Sequence, residues 1–281
     1  MSTGGSHERA DRTVSDAPFL AVEGITKSFG ATPVLQNIAL EVERGRIAGL
    51  IGPNGSGKST LFNIITGFEV ADGGRVMFAG ERIDGELPHA IARRGLMRTF
   101  QLSEGGLRLT ALENLLVAAK DQEEQRLLAS LLHPRRVLAR EAENLEKAKA
   151  ALDLLGLRQA ANEYLGNLSG GQRKLIDIGR MLMARPKLCL FDEPTAGVNP
   201  TLINTILDGL KRMNREESFS IFVIEHNMRV VSEICDWVFV LAAGQIIARG
   251  TPEAIRSDPQ VLQSYLGAPP AALAAAGGMR T

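Results

Sequence analysis

The 281-residue sequence has few cysteines, few aromatic residues and no long hydrophobic run. Its two cysteines, Cys189 and Cys235, lie far apart in the chain, which excludes a disulfide framework and indicates reduced thiols. No apolar run reaches the roughly 18 residues that span a bilayer, and residues 1–17 lack the apolar stretch of a signal peptide. We therefore expect the chain to stay in the cytoplasm.

The sequence also lacks an excess of charge of either sign. Its 32 Lys and Arg residues balance 32 Asp and Glu residues, so the overall charge indicates neither polybasic membrane binding nor attraction to nucleic acid. Any partner must therefore be recognised through a local surface. Aromatic residues make up only 5% of the chain, whereas glycine is abundant, with 29 residues. This balance is expected where the backbone approaches a ligand at several turns.

The two ends of the sequence differ in composition from the body. We expect residues 1–17, which are polar and small, and residues 268–281, which are rich in Ala, Pro and Gly, to be flexible. Between them, short β-type runs alternate with helical patterns, which predicts an α/β fold. Residues 188–191 and 221–224 are apolar throughout, as in a covered parallel sheet, whereas residues 37–42 alternate, as in an antiparallel strand. The sheet is therefore predicted to be mixed.

A long central stretch has helical rather than strand periodicity. From Thr110 to Leu157 no convincing strand is present, and His133-Pro134 interrupts the helical pattern. We interpret this stretch as part of a helical subdomain over about residues 102–171, within one domain spanning residues 18–267. No internal repeat indicates a solenoid or a second, tandem nucleotide domain.

Residues 52–59, GPNGSGKS, fit the P-loop pattern G-x-x-x-x-G-K-[ST] and lie between a strand-like and a helix-like run. Small residues let backbone N–H groups point at phosphate oxygens, and the following helix adds its positive N-terminal end. Lys58 is expected to reach the terminal phosphates and Ser59 to ligate Mg²⁺. The alternative, a glycine-rich turn that binds nothing, is disfavoured by the flanking runs. The predicted nucleotide-binding residues here are Asn54, Gly55, Ser56, Gly57, Lys58, Ser59 and Thr60.

An acidic pair, Asp192 and Glu193, ends the apolar run that begins at Leu188. The carboxyl end of a strand is the expected ligand side of an open α/β sheet. We expect Asp192 to hold Mg²⁺ through its water shell and Glu193 to orient and polarise the attacking water. Such a pair can also simply lead a strand into a turn, but the upstream P-loop favours the catalytic interpretation.

A third motif comprises Leu168, Ser169, Gly170, Gly171 and Gln172, at the start of a helical run for which Ser169 is a natural N-cap. It provides a second helix N-terminus suited to an anion. One ATP is not easily held by two helix N-termini of the same subunit, so this end is predicted to close over the nucleotide of another subunit in a head-to-tail dimer. At this point the chain resembles the nucleotide-binding subunits of ABC transporters, whose signature is LSGGQ.

The resemblance implies roles for further residues. Gln101 in RTFQ is similar to the Q-loop glutamine, which senses Mg²⁺ and the γ-phosphate where the core meets the helical subdomain. His226 in VIEHN is similar to the switch histidine, which contacts the γ-phosphate and steadies the attacking water; a lone His after a strand is otherwise more often a turn residue. Phe29 matches the aromatic residue that stacks on adenine, with an ordinary core phenylalanine as the alternative. Asn199 matches the D-loop and would face the neighbouring subunit.

Within this superfamily, residues 18–267 resemble the larger ATPase subunit of branched-chain amino acid importers. The likeness rests on RTFQ, LTALENLLVA, a helical insert, DEPTAGVNP, VIEHNM and GTPEAIRSDPQVLQSYLG. One departure is Gly170, because that class often has Tyr at this position. Urea or short-amide importers and the lipopolysaccharide-export ATPase share much of this layout and stay open as alternatives.

Two rivals of another class fit less well. A soluble ABC ATPase acting on nucleic acid predicts two nucleotide domains, coiled-coil or zinc insertions, or a basic face, none of which the sequence contains. A small-molecule kinase has no use for LSGGQ. Phosphate released to water rather than moved to an acceptor would exclude the kinase.

The resemblance also implies cofactors and partners. The cofactors are ATP and Mg²⁺, and the ATPase dimer consists of two copies of this chain or of this chain with a related ATPase. The other implied partners are transmembrane permease subunits and a solute-binding protein acting through the permease. No nucleic-acid partner is implied. The implied location is peripheral, at the cytoplasmic face of the inner membrane. No residue of this chain is expected to recognise the transported solute.

Overall fold

A computed structural model of the chain describes residues 18–99, 104–119, 134–216 and 218–266. The strands are β1 (Leu20–Phe29), β2 (Thr32–Val42), β3 (Ile47–Ile51), β4 (Gly73–Phe78), β5 (Glu81–Arg82), β6 (Leu96–Arg98), β7 (Leu188–Asp192), β8 (Ser220–Ile224), β9 (Trp237–Ala242) and β10 (Gln245–Gly250). The helices are α1 (Lys58–Ile65), α2 (Pro88–Arg94), α3 (Glu104–Leu107), α4 (Ala111–Val117), α5 (Pro134–Leu154), α6 (Gly170–Ala184), α7 (Pro200–Arg215), α8 (Met228–Ile234), α9 (Pro252–Ser257) and α10 (Pro259–Leu266).

The larger sheet has the strand order β10-β9-β3-β8-β7-β6. All neighbouring strands in it are parallel except β10, which is antiparallel to β9. Strand β8 is buried along its whole length and β7 is buried from Leu188 to Phe191, as the apolar runs at residues 188–191 and 221–224 predict. The predicted α/β fold with a mixed sheet is therefore confirmed. The carboxyl ends of the parallel strands lie together at one edge of the larger sheet.

A smaller antiparallel sheet has the order β2-β1-β4-β5. Toward its end, β2 alternates buried and exposed residues, as the pattern of residues 37–42 predicts. This sheet and α1 cover one face of the larger sheet, and helices α4 to α8 contribute to the core on the other face. Successive side chains of a strand point to opposite faces. Leu190 and Phe222 therefore lie in the core beneath the smaller sheet and α1, whereas Phe191 and Val223 lie in the core on the helical face.

Helix α5 is only partly packed. Its apolar stripe is buried at Ala148 and Leu152, which lie in the core with α4 and α6, but Leu138 is 64% exposed. The first half of the helix therefore extends beyond its packing partners. A helical pattern predicts the helix but does not show how much of it a neighbour covers.

The described part of the chain contains no helix that is both long and apolar enough to cross a membrane. Cys189 and Cys235 are both buried free thiols, in agreement with the prediction from their spacing. Burial raises the pKa of both thiols far above the usual range, so neither is expected to form a reactive thiolate.

Candidate nucleotide site

The candidate site lies at the carboxyl edge of the larger sheet. Strands β3, β8, β7 and β6 are adjacent and parallel, so the segments that follow them meet there. The P-loop follows β3, the acidic pair ends β7, and His226 follows β8. Parallel pairing thus brings together motifs that are far apart in the sequence.

Two glycines of the P-loop have backbone conformations and close neighbours that leave no room for a side chain. Gly52 has φ 152°, and a Cβ atom there would lie 1.9 Å from the Leu241 carbonyl oxygen. Gly57 has φ 104°, and a Cβ atom there would lie 2.7 Å from a methyl carbon of Leu35. Helix α1 begins at Lys58, and no side chain caps it among the residues described. Its first N–H groups are therefore available to an anion.

Lys58 and Ser56 are buried within this loop. Lys58 Nζ donates to the carbonyl oxygens of Gly52 and Pro53, each at 2.9 Å. Burial lowers the pKa of Lys58, although the acidic pair of β7 opposes this effect. The Ser56 hydroxyl oxygen has no hydrogen-bond partner within the described structure. Buried polar atoms are normally paired, so this hydroxyl fits a phosphate oxygen as its partner.

The other predicted P-loop residues surround this cradle. Asn54 and Gly55 form the exposed tip of the loop, and Gly55 has φ 78°. Ser59 is exposed and Thr60 is half-buried in the first turn of α1. The loop thus presents backbone and hydroxyl groups without a bulky side chain, in agreement with a phosphate cradle.

The donor groups near the P-loop fit Mg²⁺. Ser59 and Asp192 line the same cleft, which has a volume of about 660 Å³. No group of three or more His, Cys, Asp or Glu side chains within the described ranges could hold a metal by itself. Mg²⁺ usually keeps several water molecules and binds through one or two protein groups plus substrate phosphates, so a hydroxyl and a carboxylate match its requirements.

Glu193 and His226 lie beside each other at this edge. Glu193 has φ 49°, a left-handed conformation that is uncommon for a residue with a side chain. Its Oε1 atom lies 3.8 Å from His226 Nδ1, and both side chains are partly exposed. Two of the predicted catalytic residues therefore adjoin each other and Glu193 lines the cleft, although no direct hydrogen bond joins the two side chains.

The turn after β7 is held from two sides by two residues that no sequence motif indicates. Lys174 Nζ donates to the carbonyl oxygens of Glu193 and Ala196, at 2.9 Å and 2.5 Å. Glu225 is completely buried and accepts hydrogen bonds from the Thr195 N–H and hydroxyl groups, at 3.1 Å and 2.7 Å. A carboxylate that ends the apolar run before His226 was the available signal, because a buried acid needs a partner.

Arg98 is a further residue of the site that no sequence motif indicates. Its Nη2 atom lies 2.5 Å from Asp192 Oδ2, and its Nη1 atom donates to Asn63 Oδ1 at 2.6 Å. Its guanidinium carbon lies 5.7 Å from the centroid of the Phe62 ring. The only indication of its role in the sequence is that a basic residue ends a short, otherwise apolar strand.

Asp177 on α6 also lines the cleft. Burial raises the pKa of its carboxyl group to about 7, although Arg180 and Lys174 oppose this effect. The nearest contact of the carboxyl group to Arg180 is 3.7 Å. This side chain therefore changes charge near neutral pH.

The signature segment caps its own helix. Ser169 Oγ accepts from the Gln172 N–H group at 3.3 Å, and Gln172 Oε1 accepts from the Ser169 N–H group at 3.0 Å. Gly170 is exposed and has open space around it. Gly171 is buried, and a Cβ atom there would lie 2.7 Å from Leu202 Cδ1 of α7. No described residue of this segment lines the cleft of Ser59, so its exposed end is directed elsewhere.

Phe29 and Asn199 were also predicted to belong to the site, but neither of them lines the cleft at the P-loop. Phe29 ends β1 and is 50% exposed, which excludes the alternative of a core phenylalanine. The ammonium group of Lys27 lies 5.1 Å from its ring centroid. Asn199 is exposed and caps α7, where its Oδ1 atom accepts from the Thr201 N–H group at 3.0 Å. Gln101 lies outside the described residues.

Comparison with known proteins identifies the family. The ABC transporter family matches residues 35–196, and the branched-chain amino acid ATP-binding cassette transporter family matches residues 245–271. The high-affinity branched-chain amino acid transport ATP-binding protein BraF of Pseudomonas aeruginosa is 38% identical over 250 residues, which cover 89% of this chain and 98% of BraF. The probable branched-chain amino acid transport ATP-binding protein LivG of Methanocaldococcus jannaschii is 39% identical over 252 residues, which cover 88% and 97%.

Solved structures agree with this assignment. A nucleotide-free ATP-binding cassette from an ABC transporter has a TM-score of 0.76 and 37% identity, covering 89% of this chain and 99% of that one. A dimeric cassette in a post-hydrolysis state, bound to ADP and Pi, has a TM-score of 0.66 and 25% identity, covering 83% and 98%. Since sequence and fold are both shared over most of its length, the chain belongs to the ABC transporter family and is an ATP-binding, ATP-hydrolysing subunit.

Proposed function

We propose that this chain powers an importer of branched-chain amino acids. The observation that carries the proposal is similarity over almost the whole length of relatives named for that transport. The family match at residues 245–271 adds support, because it covers strand β10 and the two C-terminal helices, outside the P-loop match. We also propose that residues 18–267 form one domain and that its helical subdomain spans about residues 102–171.

ATP binding is proposed to use the P-loop cradle. Backbone N–H groups at the start of α1, the Ser56 hydroxyl and the Lys58 ammonium would hold the phosphates, and Phe29 would stack on adenine. Ser59 and Asp192 would hold Mg²⁺, with Gln101 as a further ligand implied by the family resemblance. Bound Mg²⁺ supplies positive charge that offsets the charge of the phosphate oxygens.

Hydrolysis is proposed to depend on Glu193. Its carboxylate would orient a water molecule and accept a proton from it, while the water oxygen bonds to the γ-phosphorus. The bond between the γ-phosphorus and the oxygen that bridges it to the β-phosphate breaks, and the products are ADP and phosphate. His226 would contact the γ-phosphate and steady the water. Lys174 and Glu225 support this step because they hold the turn that carries Glu193.

A second subunit is proposed to complete each site. The exposed end of α6, with Ser169, Gly170 and the Gln172 capping group, would close over ATP bound to the other subunit. Gly171 would contribute its backbone to the same nucleotide contact, and its lack of a side chain lets α6 pack against α7. Asn199, which caps α7 at the surface, would face the same partner. This partner is a second copy of the chain or a related ATPase, and the structural relative bound to ADP and Pi is itself a dimer.

Transport is proposed to require permease subunits in the membrane. The ATPase would lie at the cytoplasmic face of the inner membrane, and a solute-binding protein would act through the permease. ATP-driven closure of the ATPase dimer would move the permease, and the residues near Gln101 and the helical subdomain would transmit that movement. No nucleic-acid partner is proposed, because the chain has no net positive charge.

The test is reconstitution of the complex in lipid vesicles. The tagged chain is purified from its native membrane with the subunits that accompany it, and ATP-driven uptake of labelled leucine is compared with uptake of urea and acetamide. We expect leucine uptake that is lost with Glu193→Gln. Uptake of urea or acetamide alone would contradict the proposed solute, and absence of accompanying membrane subunits would contradict the transporter role.

A further inference from the structure

Arg98 connects two elements of the nucleotide site. It ends β6, and its guanidinium group pairs with Asp192 at the end of β7 and with Asn63 on α1. The Arg98 side chain is only 11% exposed and the Asp192 side chain 26% exposed. The pair is therefore largely shielded from solvent, where charge-assisted hydrogen bonds are stronger than at an open surface.

The position of this pair matters because Asp192 is the carboxylate that fits Mg²⁺. An arginine side chain keeps its positive charge at all physiological pH values, so Arg98 offers Asp192 a permanent cationic partner. A divalent cation approaching Asp192 would meet repulsion from this guanidinium and would compete with it for a carboxylate oxygen. Arg98 and Asp192 both line the cleft that Ser59 shares.

We propose that Arg98 is a positioning residue that competes with Mg²⁺ for Asp192 and so sets how strongly the metal enhances nucleotide binding. This inference rests on the proposed ATP and Mg²⁺ site. With Arg98 in place, Asp192 is neutralised before the metal arrives, and Mg²⁺ must weaken an existing ion pair. Without Arg98, an unpaired carboxylate beside the phosphates would repel metal-free nucleotide and attract the metal complex.

The test compares nucleotide affinity with and without metal. The dissociation constant of a fluorescent ADP analogue is measured in excess EDTA and in excess Mg²⁺, and the ratio of the two constants gives the enhancement by the metal. We expect Arg98→Met to increase this ratio about tenfold, because Mg²⁺ would no longer have to weaken a charge-assisted hydrogen bond to Asp192. Arg98→Lys keeps the charge and should remain close to the unchanged chain.

Two controls separate competition from general damage. Arg82→Met removes an arginine that pairs with Asp84 in the smaller sheet, and it should leave the ratio unchanged. In an Asp192→Asn background the carboxylate charge is absent, so adding Arg98→Met should no longer raise the ratio. If Arg98→Met fails to fold, as judged by circular dichroism, the comparison of Arg98→Lys with Arg98→Gln takes its place.

An unchanged ratio in a folded Arg98→Met variant that still binds nucleotide would overturn this inference alone. An equal increase in the Asp192→Asn background would also overturn it, because the effect would not pass through Asp192. If the unchanged chain bound no nucleotide, the proposed function itself would be wrong. The measurement is made at equilibrium and does not depend on ATP hydrolysis.

Discussion

The turn after β7 and the signature end of α6 differ in how they are held. Residues elsewhere in the subunit hold the turn, whereas the side-chain hydrogen bonds at the signature end are, within the described structure, its own capping bonds. The turn is held by Lys174 at its carbonyl oxygens and by the buried Glu225 at Thr195, so its shape is set within the subunit. The signature end is exposed, and its capping bonds are made by its own Ser169 and Gln172. Under the proposed function, the hydrolytic half of the site is therefore formed in advance, whereas the signature half would require a partner.

The largest expected effect comes from replacing Glu193, the proposed catalytic residue of the hydrolytic half of the site. Glu193→Gln should reduce phosphate release about 10²- to 10⁴-fold, because the amide cannot accept a proton from water. ATP binding should persist, since the cradle around Lys58 is untouched. Phosphate release and the affinity of a fluorescent ATP analogue check the two parts. Glu163→Gln at an exposed position is the matched control, and full hydrolysis by Glu193→Gln would remove Glu193 from its role.

The signature half is tested at Gly170 rather than Gly171. A side chain at Gly171 would collide with Leu202, whereas Gly170 has open space, so Gly170→Asp should leave the fold intact. Its carboxylate would repel the phosphates of the partner's ATP, and we expect hydrolysis to fall about a hundredfold while binding to the P-loop remains.

A mixing experiment sharpens this comparison. Lys58→Ala should lose nucleotide binding, because it removes the ammonium from the cradle. When it is mixed with Gly170→Asp, each heterodimer has one site with both an unchanged P-loop and an unchanged signature end, so part of the activity should return. Heterodimers isolated by two different tags that remain inactive would contradict the shared site.

A smaller effect is expected from loosening the turn. Lys174→Met removes the ammonium that binds the carbonyl oxygens of Glu193 and Ala196, and Glu193 would leave its uncommon conformation more easily. We expect kcat to fall about tenfold, since hydrogen bonds to charged groups contribute about 1.5–3 kcal/mol. KM should change less, and Lys174→Arg should recover much of the rate. Equal losses in kcat for Lys174→Arg and Lys174→Met would argue against a positioning role.

The smallest effect concerns stability near the cleft. The pKa of Asp177 is about 7 in the folded protein against an ordinary value of 3.8, so between these values the unfolded chain has lost a proton that the folded chain keeps. Raising the pH in this range therefore lowers the free energy of unfolding, by up to about 1.4 kcal/mol per pH unit. Asp177→Asn should remove this dependence and be the more stable form at pH 8. Urea unfolding at pH 5 and pH 8 measures both slopes, and parallel slopes would contradict the assignment.

Features that depend on neighbouring residues in the chain were accessible from the sequence. The capping box at Ser169 and the start of α1 at Lys58 follow from local hydrogen bonding, and the P-loop is one continuous segment. The burial of β7 and β8 follows from the unbroken apolar runs at residues 188–191 and 221–224. The exposure of Leu138 did not follow, because the stripe on α5 does not show where its packing partners end.

The sequence by itself determined the fold class, the phosphate cradle and the signature helix end, because each is specified by residues close together along the chain. Only the tertiary structure decided that Arg98 meets Asp192, that Lys174 and Glu225 hold the turn of Glu193, and that a side chain at Gly171 would collide with α7. The physical reason is the parallel sheet, whose adjacent strands come from distant parts of the chain. Side chains at the ends of those strands find partners through strand order, which no local pattern encodes.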